Sequence, residues 1–214
     1  MPHDGHDHPH AGQEPHDHLP DAPKGLTYHQ AMEIAVRTLL IEKGIVSADS
    51  VRRQLEVMDS ITPVRGSHMI AKAWLDPAFK ALALEDGTKA AKALGLDLGP
   101  THLMVVENKP DLHNVIVCTL CSCYPRTLLG VPPDWYKSVE YRSRVVREPR
   151  KVLEEFGTEI PGDVEIRVHD STADLRYLVL PLRPAGTEGW SEDQLAALVT
   201  RDSMIGVSVA RLQN

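Results

Sequence analysis

All three cysteines of the chain lie within six consecutive residues, in the stretch Val117-Cys118-Thr119-Leu120-Cys121-Ser122-Cys123-Tyr124. Thiols this closely spaced can act on a single centre, whereas scattered cysteines would cross-link distant parts of a fold. The spacing C-x-x-C-x-C therefore indicates a chemical site. We expect the function of the chain to reside in this cysteine run.

Two structural interpretations of the cysteine run stay open. A disulfide across one or two intervening residues needs unusual backbone geometry and leaves one thiol over. A structural zinc site could combine the three thiolates with His113 in a tetrahedral Cys3His set. Zinc sites usually space paired ligands by at least two residues, and only one residue separates Cys121 from Cys123.

A third interpretation starts from that tight pair. The sulfurs of Cys121 and Cys123 can fold to one side, so that the peptide nitrogens of Ser122 and Cys123 face the same centre. If both amides lose their protons, two nitrogens and two sulfurs define a plane, and Cys118 can add an axial sulfur. These strong-field donors suit low-spin trivalent cobalt or iron. One position stays open, and there the ion can act as a Lewis acid on water or a nitrile nitrogen.

Helices dominate the sequence before the cysteine run. Apolar residues from Met32 to Leu40 follow the 3.6-residue period, after a Thr27 cap and before Gly44. A second amphipathic helix is predicted from Ser47 or Asp49 to about Asp59. Two such helices suggest an arm that lies on its own domain or on a partner. Three more helices are predicted at 66–74, from Asp76-Pro77 to 84, and at 87–94.

Strands surround the cysteine run. Short apolar runs predict strands at 103–106 and 115–117, with a Pro110-Asp111 turn between them, and alternation predicts strands at 165–169 and 177–182. Helices are expected at 149–156 and, after a Ser191 cap, at 192–200, with a short strand near 205–209. Together these elements predict an α+β fold with a mainly antiparallel sheet. The cysteines begin where a strand ends, a common place for functional loops.

Composition limits the class of protein. The chain has 214 residues and 23.7 kDa, with 42% hydrophobic and 25% charged residues, as in ordinary globular proteins. Its formal charge of −7 argues against a nucleic-acid-binding surface. No apolar run reaches the roughly 18 residues of a membrane span, and no signal-peptide core is present. We therefore expect a cytoplasmic protein.

The first residues form a separate segment. Six histidines alternate with Asp, Pro and Gly before residue 25, so this tail cannot bury enough apolar surface to offset its ordering entropy. It is either a solvated tail or a loose collector of metal ions. The predicted organisation is a disordered His-rich tail at 1–25, a helical arm at 26–75 and a metal-binding catalytic domain at 76–214.

The stretch 117–124 resembles the metal-binding claw of the nitrile hydratase α subunit. The resemblance extends from about residue 31 onward and leaves only the tail outside. It is carried by the claw and by four further blocks, at 129–137, 141–150, 183–192 and 198–206.

The resemblance implies a ligand set and a modification. Cys118, Cys121 and Cys123 would supply sulfurs, and Ser122 and Cys123 would supply backbone nitrogens. The family oxidises the middle and last cysteines, here Cys121 and Cys123, to cysteine sulfinic and sulfenic acid. Cys123, Cys121 and Ser122 are accordingly the expected catalytic residues.

The resemblance also implies a metal, a fold and partners. Thr119 and Tyr124 are similar to the cobalt type, so Co3+ is expected rather than iron. The family fold is an N-terminal helical arm followed by a layered α-β-β-α domain. A distinct β-type subunit is implied, whose arginines bind the oxidised cysteines, together with a metallochaperone or activator.

Two departures from the family pattern bear on the substrate. Arg126-Thr127 stands where relatives commonly carry Trp-Pro, and Leu98-Gly99-Pro100 stands where many carry a glutamine. Arg126 either forms a surface or interface salt bridge or faces the substrate pocket. The leading function is a lyase of nitrile metabolism that hydrates a nitrile to an amide. The alternatives are the metal subunit of thiocyanate hydrolase, since Arg126 could favour an anion, and a non-catalytic metal carrier or zinc module.

Overall fold

The computed structural model describes residues 25–121 and 123–212, and the chain divides into two units at Arg53/Gln54. The first unit holds α1 (Tyr28–Glu42), and α2 (Ala48–Asp59) crosses the boundary. Thr27 and Gln30 cap α1 reciprocally, which confirms the predicted helix start. The predicted tail, up to residue 24, lies outside the described residues.

Three helices open the second unit. They are α3 (Val64–Leu75), α4 (Pro77–Glu85) and α5 (Gly87–Ala93). Asp76 caps α4 by accepting from the backbone N–H groups of Ala78 and Phe79, as predicted. Although α3 falls within the predicted arm at 26–75, it packs against α4. The domain boundaries stay a prediction.

The four strands pair in parallel, so the predicted antiparallel sheet is wrong. β1 (His102–Glu107) pairs with β4 (Leu175–Leu180), and β2 (Leu112–Val117) pairs with β3 (Glu165–Asp170), in two separate sheets. The connection between β1 and β2, where a Pro110-Asp111 turn was predicted, carries an isolated bridge between Lys109 and Leu112, and the two strands do not pair with each other. A long helical crossover joins β2 to β3, as parallel pairing requires.

Helices fill the rest of the second unit. α6 (Arg126–Leu129), α7 (Asp134–Lys137), α8 (Val139–Arg144) and α9 (Pro149–Glu155) lie between β2 and β3. α10 (Glu192–Ala196) and α11 (Arg201–Ile205) follow β4. The strand expected at 205–209 is not formed, because α11 occupies its start and Gly206 ends that helix in the left-handed conformation. The helix expected at 192–200 ends earlier, at Ala196.

The packing order of the second unit agrees with the predicted α+β class and α-β-β-α layering. Helices α4 and α5 contact β1, β4 contacts β2, and α9 contacts β3. The buried core runs through both sheets and includes Val115, Ile116, Leu178 and Val179. No described helix is long and apolar enough to cross a membrane.

Candidate metal centre

The three cysteine sulfurs converge at the end of β2. The Sγ atoms of Cys118 and Cys121 lie 3.3 Å apart, those of Cys121 and Cys123 lie 3.1 Å apart, and all three fall within 4.8 Å of one another. These separations exceed the roughly 2.05 Å of a disulfide, so no two of the three cysteines are joined by one. Cys118 and Cys123 are buried, while Cys121 is exposed. The three sulfurs therefore face a common point, which is exposed to solvent on the side of Cys121.

Strand β2 positions the first cysteine. Residues 113–117 of β2 are all buried, and Cys118 follows directly with 1% exposure. The paired strand β3 ends at Asp170, opposite Val117. Asp170 accepts the N–H of Thr119 at 2.9 Å and the Thr119 hydroxyl at 2.5 Å. The end of β3 thus anchors the second residue of the cysteine run.

Two buried tyrosines donate hydrogen bonds to main-chain carbonyls, one at the last cysteine and one just before the first. The Tyr136 hydroxyl, from α7, donates to the Cys123 carbonyl at 2.9 Å. The Tyr141 hydroxyl, from α8, donates to the Ile116 carbonyl at 2.7 Å. Burial raises the pKa of both tyrosines, so both stay protonated donors.

Arg142 forms hydrogen bonds to main-chain carbonyls of the cysteine run. Its Nη1 donates to the Cys121 carbonyl at 3.0 Å and to the Thr119 carbonyl at 3.4 Å. Its Nε donates to the Ser138 carbonyl at 3.3 Å, at the start of α8. One guanidinium therefore links α8 to two peptide groups of the cysteine run.

The surroundings of Cys123 disfavour its thiolate form. Burial and hydrogen bonds to Cys121 and Cys118 raise the pKa of Cys123 to about 12. The nearby positive charge of Arg176 acts in the opposite direction and lowers this pKa. Negative charge on the neighbouring Cys118 would repel a Cys123 thiolate, which adds to the effect of burial. A bound cation reverses this preference, since thiolates are its ligands. A convergent set of soft sulfur donors fits a thiophilic metal ion.

A cavity of about 160 Å³ is lined by Tyr124, which directly follows the last cysteine. Arg126 and Arg176 also line it, with apolar walls from residues that include Leu103 and Leu128. Arg176 donates to the carbonyls of Thr172 and Ala173. Arg126 is exposed and forms no ion pair with any described residue of this chain, which leaves a salt bridge across an interface or a place facing the substrate.

The predicted site residues divide into three groups. The structure brings Cys118, Cys121 and Cys123 together, while Ser122 lies outside the described residues. His113, the suggested fourth zinc ligand, is buried elsewhere on β2. Its Nε2 donates to the Gly206 carbonyl at 2.7 Å, and its Nδ1 contacts the Asn108 amide nitrogen at 3.2 Å. Both ring nitrogens are thus engaged, so His113 is not available to the cysteines.

The residues that hold the loop were missed from the sequence. Asp170, Arg142 and Tyr136 reach it from distant elements, and their polar side chains carry no distinctive spacing. The only signal for Asp170 was its place at the end of a predicted strand. For Arg142 and Tyr136, the signal was membership of blocks that resemble the family.

Known proteins share this fold and sequence. The cobalt-containing nitrile hydratase subunit alpha of Pseudonocardia thermophila is 52% identical over 180 residues, covering 83% of this chain and 88% of that relative. Thiocyanate hydrolase subunit gamma of Thiobacillus thioparus is 48% identical over 194 residues, covering 85% and 80%.

Solved structures give the same result. A recombinant thiocyanate hydrolase with partially modified cobalt centres superposes with a TM-score of 0.82 at 47% identity, covering 87% of this chain and 91% of that one. A double mutant of the Fe-type nitrile hydratase of Comamonas testosteroni Ni1 gives 0.81 at 47% identity, covering 85% and 90%. The family model for the nitrile hydratase alpha chain matches residues 27–208. The chain belongs to the nitrile hydratase alpha-chain family.

Proposed function

We propose that this chain is the metal-bearing alpha subunit of a nitrile hydratase, which hydrates a nitrile to the amide at a low-spin Co(III) centre. The observation that carries this proposal is the convergence of three cysteine sulfurs within 4.8 Å, in a chain of this family. A carrier of metal ions would not need the cavity that adjoins Tyr124.

The proposed ligands are the sulfurs of Cys118, Cys121 and Cys123 and the backbone nitrogens of Ser122 and Cys123. A trivalent cobalt ion held this way supplies Lewis acidity toward a nitrile nitrogen. Cys121 and Cys123 are proposed to carry sulfinic and sulfenic acid. The proposed catalytic set is Cys123, Cys121 and Ser122; the Cys123 sulfenate oxygen or a water molecule would attack the nitrile carbon, and one water molecule would be consumed for each amide formed.

Cobalt is favoured over iron on two grounds. Thr119 and Tyr124 match the cobalt type, and several similar relatives are named as cobalt-containing. An Fe-type structure is also similar, so the overall fold alone does not select the metal.

A second, β-type subunit is proposed to cover the centre. Leu120, between the first two cysteines, is 89% exposed, and Cys121 beside it is exposed as well. An oxidised cysteine pair needs cationic donors if it is to be buried, and a partner could supply them. The helical segment from Thr27 to Asp59 is proposed to lie against that partner. A cytoplasmic location is proposed because the thiols must escape random disulfide formation.

The test is metal identity followed by product analysis. The full chain, co-expressed with its partner subunit in cobalt-supplemented medium, should contain about one cobalt per chain and show a thiolate-to-cobalt absorption band. It should release the amide from aliphatic or heteroaromatic nitriles. Stoichiometric zinc in a colourless protein would contradict the proposal and favour a structural or carrier site.

Thiocyanate hydrolysis is the second candidate, and the two arginines favour it. Arg126 and Arg176 line one small cavity beside the cysteine run, and thiocyanate is a small anion that guanidinium groups attract. Ammonia release from thiocyanate, measured beside amide release from nitriles on the same preparation, separates the two functions. Arg126→Trp should depress the thiocyanate reaction more than the nitrile reaction if the anion is the substrate.

A further inference from the structure

The hydrogen bonds of Arg142 tie it to the cysteine run, whereas Arg150 and Arg176, which also bond only main-chain carbonyls, bond carbonyls outside that run. The three hydrogen bonds of Arg142 all go to main-chain carbonyls, those of Ser138, Thr119 and Cys121. By contrast, Arg144 bonds Glu148 and Glu155. Within the described part of the chain, no carboxylate forms an ion pair with Arg142. Its positive charge is therefore not neutralised locally.

The two carbonyls that Arg142 bonds lie inside the cysteine run. The Thr119 carbonyl belongs to the segment between the first two cysteines, and the Cys121 carbonyl belongs to the peptide that leads into Ser122. The Nη1 group of Arg142 donates to both carbonyls, and the Nε bond to the Ser138 carbonyl fixes the guanidinium plane, so the side chain can hold the two peptide groups in place relative to α8. Asp170 fixes the other side of the loop through Thr119.

We propose that Arg142 is a positioning residue for the metal, which fixes the loop from Thr119 to Cys121 and offsets the negative charge of the filled site. The inference rests on the proposed function, because it takes the cysteines as metal ligands. Three anionic sulfur ligands would gather in a partly buried loop, and a fixed cation beside their peptides lowers the cost of that charge. Loss of Arg142 therefore loosens the loop and weakens metal retention.

The test compares Arg142→Gln with Arg142→Lys in the full chain, with its partner subunit, grown with cobalt chloride. Removal of an outer-shell partner typically costs about 10–100-fold in metal affinity, so Arg142→Gln should lose cobalt to EDTA about tenfold faster or more. Its thiolate-to-cobalt band should shift or weaken. Arg142→Lys keeps the positive charge but lacks the planar guanidinium. Its rate of cobalt loss should therefore lie between that of the parent protein and that of Arg142→Gln.

Arg147→Gln is the matched control. Arg147 also donates to a main-chain carbonyl, that of Ser143 at 2.9 Å, outside the cysteine run. Its replacement should leave cobalt loss and the absorption band unchanged. Circular dichroism and thermal melting show whether each variant folds, and if Arg142→Gln does not, the comparison of Arg142→Lys with the parent decides.

The outcomes separate two failures. A parent protein that takes up no cobalt refutes the proposed cobalt centre, and the EDTA comparison is then made on whichever metal it holds. A parent that holds its metal while Arg142→Gln and Arg142→Lys release it no faster, with an unchanged absorption band, overturns the role of Arg142. A fall in melting temperature alone, without faster metal loss, also overturns it.

Discussion

Removal of the Tyr136 hydroxyl should lower the free energy of unfolding, whereas removal of the hydroxyl of its neighbour Tyr124 should leave it unchanged or raise it. Tyr136 and Tyr124 have ring centroids 5.1 Å apart and are 0% and 5% exposed. The Tyr136 hydroxyl donates to the Cys123 carbonyl, whereas the Tyr124 hydroxyl is buried without a partner among the described residues. Tyr136→Phe and Tyr124→Phe therefore remove the same atom from similar surroundings but different hydrogen bonding.

The expected magnitudes follow from hydrogen bonding. Tyr136→Phe deprives a buried carbonyl of its donor, which typically costs about 1–3 kcal/mol of unfolding free energy. Tyr124→Phe removes an unpaired buried polar group and should be neutral or stabilising by up to about 1 kcal/mol. At roughly 2–4 °C per kcal/mol for a chain of this size, Tyr136→Phe should lower the melting temperature by about 2–12 °C.

Urea unfolding of the metal-free chain, followed by circular dichroism, measures both effects. Metal-free protein is needed because bound metal would add its own stabilisation by mass action. The reasoning fails if Tyr124→Phe destabilises the chain as much as Tyr136→Phe. It also fails if Tyr136→Phe leaves the free energy of unfolding unchanged, since the Cys123 carbonyl would then have another donor.

Three further predictions concern pH, backbone and modification. Burial lowers the pKa of His113 below its ordinary 6.5, so the unfolding free energy should fall as pH drops below 6.5, where the unfolded chain takes up the proton first. Urea titrations across that range should show this slope, and His113→Asn should reduce it. Gly206→Ala should cost at least about 2 kcal/mol, because φ is +92° and a Cβ would lie 2.1 Å from the Asn114 carbonyl oxygen. Gly162→Ala, where a Cβ meets nothing within 4 Å, is the control for equilibrium unfolding. Mass spectrometry of the cysteine peptide from active enzyme should show about three added oxygen atoms, all on Cys121 and Cys123; an unmodified peptide would contradict the proposed oxidation.

Local signals predicted most helices and strands. The Thr27 cap, the Asp76-Pro77 start and the apolar periodicity act within a few residues, and the structure confirms all three. Strand pairing was mispredicted because it depends on which distant strand lies alongside. The short connection between β1 and β2 could not show that they belong to separate sheets.

The candidate site likewise combines features set by the local sequence with contacts that depend on the tertiary fold. Convergence of the three sulfurs follows from their spacing, because at most two residues separate each cysteine from the next. The contact between Thr119 and Asp170 joins residues 51 positions apart, so it depends on the folded sheet. Arg142 and Tyr136 likewise reach the loop only through the positions of α7 and α8.

The shared end of β2 and β3 makes this loop sensitive to the length of a strand that contains no cysteine. Val117 and Asp170 are the last paired residues of the two strands, with Thr119 bonded to Asp170. Inserting one residue before Asp170 within β3 would displace its carboxylate by about 3.3 Å or turn it to the opposite face of the sheet. Either change would break the hydrogen bonds that Thr119 donates to Asp170. Insertions in the exposed turn around Gly162 should be tolerated, so related chains can vary in length there but not within β3.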